Sequence, residues 1–64
     1  MVKNRLKEIL DSKGIKQSWL ANKVDITKQT MSSLVSNRYS TSIDVAIRIS
    51  NVLGMDLKDI FYEE

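Results

Sequence analysis

The sequence predicts an all-α fold: a compact single domain over residues 1–64, five short helices with a helix–turn–helix at the second and third. Three observations predict it. Apolar residues recur at helical spacing through almost all of the 64 residues. The chain has no proline, and each of its two glycines falls just past a periodic stretch, where a helix needs a stop. The run QSWLANKVDITKQTMSSLVS, Gln17 to Ser36, carries two apolar stripes separated only by Asp25, Ile26 and Thr27.

The first helix is expected from about Val2 to Lys13, with Val2, Leu6, Ile9 and Leu10 as its buried stripe and Gly14 as its stop. The second runs from Gln17 to Val24 and buries Leu20, Ala21 and Val24. Ile15 packs on Leu20 as a hydrophobic staple, whereas Lys16 is a poor N-cap. Ala21 is small where one helix must approach another closely. Thr27 caps the third helix, Ile26 and Met31 staple it, and Met31, Leu34 and Val35 form its inner stripe. Its outer face is polar: Lys28, Gln29, Ser32 and Ser33. A recognition helix presents such a face to the DNA major groove. Residues 37–40 form a loop in which Asn37 takes the left-handed conformation.

Thr41 or Ser42 caps a fourth helix that continues to Leu53 and is closed by Gly54. Ile43, Val45, Ala46, Ile47, Ile49, Val52 and Leu53 cover more than half its circumference. That arc makes it the central helix, or one that also packs on a partner. Asp56 caps a last short helix from Leu57 to about Tyr62, with Leu57, Ile60 and Phe61 turned inward.

Composition narrows the function. With no cysteine and no histidine, disulfides and the usual zinc sites are excluded, and no cofactor is implied. The absence of cysteine fits a reducing, cytoplasmic setting. No apolar run approaches the roughly 20 residues of a membrane span, so no membrane partner is expected. Residues 1–40 carry eight Lys or Arg against three Asp or Glu, a balance of +5; residues 41–64 carry two against five, a balance of −3. The basic half holds the helix–turn–helix and suits a phosphate-facing side, although charge runs are often only solvated surface. Nothing supports an enzyme: there is no Gly-rich phosphate loop and no acidic pair set to tune a pKa.

With these residues in view, the chain resembles the Cro/repressor-type helix–turn–helix family of phage Cro proteins and repressor N-terminal domains. The similarity runs from Arg5 to Phe61 and is strongest in LANKVDITKQTMSSLVSNR and IRISNVLGMDLKDIF. Three departures stand out. Asp25 replaces the usual turn glycine, and Thr41 replaces a common proline. Leu10 and Val35 replace a buried arginine–glutamate pair, which avoids the cost of desolvating two charges; the two side chains are expected to touch.

The resemblance implies base contacts from Lys28, Gln29 and Ser33, with Ser32 a weaker contributor. Lysine donates to guanine O6 or N7, and glutamine pairs bidentately with adenine N6 and N7. It also implies a phosphate clamp at Gln17. Thr27, Asn37, Arg38 and Tyr39 flank the third helix within reach of the backbone, Arg38 being the best suited to phosphate or a narrow minor groove. The implied partner is a double-stranded DNA operator, bound by a homodimer through Ile60, Phe61 and Tyr62 or through Val45, Ile49 and Val52. Trp19 stands where the family commonly has a polar residue. It either folds back as a lid on the core or anchors a protein partner. Two functions follow: a sequence-specific DNA-binding regulator, a small repressor or Cro-like switch, or a module of the same fold that binds another regulator.

Overall fold

Asn4 is where the chain first departs from its apolar periodicity. In the computed structural model, which describes residues 2–38 and 40–64, this residue ends a short strand instead of continuing a helix. The order is β1 (Val2–Asn4), α1 (Leu6–Lys13), α2 (Gln17–Lys23), α3 (Lys28–Val35), α4 (Ile43–Leu53), α5 (Leu57–Ile60) and β2 (Phe61–Glu63). All five expected helices form. The all-α expectation gains a two-stranded antiparallel sheet in which Val2 pairs with Glu63, Lys3 with Tyr62 and Asn4 with Phe61.

Both ends of the helical array are therefore shorter than periodicity suggested. The Asn4 side-chain oxygen accepts from the Leu6 N–H at 3.0 Å, which starts α1 at Leu6. Asparagine competes with helical backbone through such local bonds. Val2, expected in the buried stripe, is 42% exposed. At the other end Phe61 is extended (φ −112, ψ 146), and Phe61 and Tyr62 are aromatic residues that favour strands. Lys3 Nζ lies 3.1 Å from Glu64 Oε1, and the Arg5 guanidinium sits 4.3 Å from the Tyr62 ring centroid. Asp56 occupies the N-cap of α5 as expected but makes no side-chain cap bond.

Four helices close with one device. The N–H of a left-handed residue bonds three positions back, and the next N–H bonds five positions back: Gly14 and Ile15, Asp25 and Ile26, Asn37 and Arg38, Gly54 and Met55. Their φ values are 69, 61, 62 and 65. Asp25 thus does the work of the family's turn glycine, and Asn37 is left-handed as its type suggested.

The core gathers Leu6, Leu20, Val24, Met31, Leu34, Ile49 and Ile60, all fully buried. Leu10 and Val35 belong to the same cluster, where an ion pair would have had to be desolvated. Ile15 and Ile26 pack against it, as staple residues should. The fourth helix is central on one face only. Ala46, Ile49 and Leu53 are buried, while Ile43 at 71% and Ile47 at 44% are exposed. No helix is long and apolar enough to cross a membrane among the described residues.

Candidate nucleic-acid interface

Helices α2 and α3 make the most extensive contact between any two helices, and both feed one core: Leu20, Ala21 and the C-cap Val24 from the first, Met31, Leu34 and Val35 from the second. Burial of the second stripe fixes which way α3 faces. Lys28, Gln29 and Ser32 are exposed and Ser33 is half-buried, so all four share the outer side. The helix starts at Thr27 in extended backbone (φ −73, ψ 158), whose Oγ1 accepts the Thr30 N–H at 3.0 Å. The same oxygen is 2.8 Å from Thr30 Oγ1, so its hydroxyl is committed to the cap. Gln17 is exposed as the first residue of α2, after Lys16, which makes no cap bond.

The far end of α3 differs from expectation. The Asn37 side chain, expected at a phosphate, is half-buried against β1. Its Oδ1 accepts the Asn4 N–H at 2.9 Å, and its Nδ2 donates to the Asn4 carbonyl at 3.2 Å. An amide with both ends engaged is a poor phosphate ligand. Arg38 is exposed beside it. Tyr39 lies outside the described residues.

Two residues that sequence reasoning missed hold the motif in place. Arg48 of α4 donates from Nη1 to the carbonyl of Val24, the C-cap of α2, at 3.1 Å; its Nη2 meets Asp44 Oδ2 at 2.6 Å. The pairing with Asp44, four residues earlier, was legible as helical spacing. The bond to Val24, 24 positions away, left no local signal. Asn4 likewise donates from Nδ2 to the Leu34 carbonyl at 2.7 Å, across 30 positions.

Trp19 is 46% exposed, so the core-lid expectation gives way to a surface ring. It stands one residue from Leu20, about 100° around the helix from the buried stripe. Lys23 Nζ lies 5.4 Å from its centroid. The ring lines an open cleft with Lys16, Ser18, Asn22, Ile26 and Lys28. The proposed dimer faces also change: Ile49 and Ile60 are fully buried and face no partner.

Two short helices joined by a tight turn, the second with a buried inner stripe and a polar outer face, define a helix–turn–helix domain. The chain belongs to the Cro/C1-type helix–turn–helix DNA-binding domain family, whose model matches residues 5–63. It is not an enzyme by that kinship. It is 30% identical over 63 residues to YgzD, an uncharacterized HTH-type transcriptional regulator of Bacillus subtilis, covering 98% of this chain and 96% of that one. A second uncharacterized HTH-type transcriptional regulator, from Methanothermobacter thermautotrophicus, is 43% identical over 49 residues, 75% of this chain and 71% of its own. A crystal structure of a Bacteroides fragilis protein assigned as DNA-binding superposes with a TM-score of 0.87 at 27% identity, covering 97% of this chain and all of that one.

Proposed function

We propose that the chain is a transcriptional regulator, a small repressor or Cro-like switch, that reads double-stranded DNA by laying α3 in the major groove. One observation carries the reading: Lys28, Gln29 and Ser32 stand exposed over a fully packed stripe, with Gln17 exposed at the start of the adjoining helix. In this reading Lys28 donates to guanine and Gln29 brackets adenine, while Ser32 and Ser33 make shorter, adaptable contacts. Gln17 and Arg38 fix the register on phosphates, and Thr27 shapes the entry to the helix. Occupying an operator blocks polymerase without any catalysis, in the cytoplasm where the DNA is.

One domain covers one half-site. Two copies on half-sites about 34 Å apart would read a near-palindrome. The exposed apolar residues that α4 leaves for such a dimer are Ile43 and Ile47 on one flank and Val52 on the other, not the buried Ile49, and Ile60 of α5 is buried too. Sedimentation of the DNA complex at one copy per duplex of two half-sites, whatever the protein excess, would end the dimer reading.

Selection from a random-sequence duplex pool at two salt concentrations tests the function. An enriched motif whose affinity falls steeply with salt supports it. The exposed Trp19 with Lys23 against its ring favours a second reading, a protein partner docked on α2. No motif and negligible DNA binding at low salt would turn the case to that reading.

A further inference from the structure

Among the described residues, Asn4 is the most deeply buried polar one. It is 6% exposed, and both polar atoms of its side chain have a partner. Its Nδ2 donates to the Leu34 carbonyl and its Oδ1 accepts from Leu6 N–H. Its backbone N–H and carbonyl are both taken by the Asn37 amide. Asn37 thereby acts as a one-residue strand beside β1, pairing both main-chain groups of Asn4 as a third strand would. The Leu34 carbonyl is one of the last four of α3, which have no partner inside the helix. It receives the Asn37 N–H at 3.0 Å and the Asn4 amide at 2.7 Å, filling both lone pairs.

An apolar side chain would fill the space at residue 4 but leave the buried Leu6 N–H without its acceptor. A buried amide whose nitrogen and oxygen both have partners selects a single arrangement of the segments it joins. Here those segments are β1 and the end of α3. The helix has only eight residues, so its last turn carries Ser32 and Ser33 while its first carries Lys28 and Gln29. The first turn is already held by the Thr27 cap, and the turn before it by Arg48 on the Val24 carbonyl. The last turn has Asn4 and Asn37.

We propose that Asn4 is a positioning residue for the DNA-reading helix: its buried carboxamide on the Leu34 carbonyl, together with the Asn37 amide on its main chain, latches β1 to the C-terminal end of α3 and sets where Ser32 and Ser33 meet the bases. The proposal rests on the reading of α3 as the recognition helix. Asn4 touches no DNA in this scheme and acts through Leu34 and Asn37.

The test compares wild type, Asn4→Ala and Asn37→Gly on a duplex bearing the selected motif and on a scrambled duplex. Glycine keeps the left-handed backbone at position 37 and removes only a half-buried amide, so this variant decides the matter if Asn4→Ala fails to fold. The ratio of the two affinities is the readout. Global destabilisation lowers both affinities together and leaves the ratio alone; a displaced helix end lowers the ratio. The expected result is a roughly tenfold smaller ratio. Preference should be lost at the base positions met by Ser32 and Ser33 and kept at those met by Lys28 and Gln29. Amide exchange should quicken at Ser36, Asn37 and Arg38 but not in α2. A ratio within about twofold of wild type in a folded variant overturns the latch alone. A wild type that enriches no motif overturns the DNA reading, and the proposal with it.

Discussion

Asp25 shows how far one side chain departs from the ordinary rules of its type. It holds φ 61 at the end of α2, where an L-residue with a Cβ pays for a left-handed backbone. Asp25→Gly should therefore raise stability by about 0.5 kcal/mol, part of the relief being lost to the freer unfolded chain. It also removes a negative charge from within the basic half, so DNA affinity should rise at low salt; a urea titration and a binding curve check the two effects. Lys28→Ala and Gln29→Ala should each relax preference at a single base position by about 1–3 kcal/mol, while Gln17→Ala should weaken all sequences alike. Thr27→Ala loses a cap bond of 3.0 Å and should cost about 1 kcal/mol in thermal unfolding.

Between elements, what was legible depended on how far apart the partners lie in the chain. The caps at Thr27 and Ser42 and the stops at Gly14, Asn37 and Gly54 are local chemistry, and each could be read from a few neighbours. The α2 and α3 stripes were legible for the same reason. The sheet was not: Val2 to Asn4 reads as the start of an amphipathic helix until Phe61 to Glu63 arrives to pair with it. Asn37 looked like a phosphate ligand because nothing near it in sequence points to Asn4. Arg48 should test the value of such a distant bond. Arg48→Met keeps the apolar stem and removes both hydrogen bonds; it should destabilise by about 1 kcal/mol, whereas Asp44→Ala should stay within about 0.5 kcal/mol, since that pair is exposed. Equal effects would mean that the Val24 carbonyl is not what Arg48 serves.

For the molecule as a whole, 64 residues leave a small stability margin, so the peripheral sheet matters more than its size suggests. It carries the Lys3–Glu64 pair, the Arg5–Tyr62 stacking and Phe61 against the core. Removing residues 61–64 should cost about 2 kcal/mol and lower Tm by about 10 °C by circular dichroism. A truncated chain that melts as the full one does would show that β1 needs no partner. The charge balance acts at this scale too. The +5 of residues 1–40 does not choose a sequence; the number of its cations that meet phosphates would set how sharply DNA binding falls with salt.

Trp19 has a consequence for anyone observing this protein by light. It is the chain's sole tryptophan, and 46% of it is already in water in the folded state, with an ammonium group near the ring. Its emission should sit near that of the unfolded chain, so a fluorescence melt will show little amplitude while the backbone signal collapses. The same placement makes it a sensitive indicator of a different event. Anything that settles into the cleft along α2 will dry the indole and shift its emission to the blue, with no label attached.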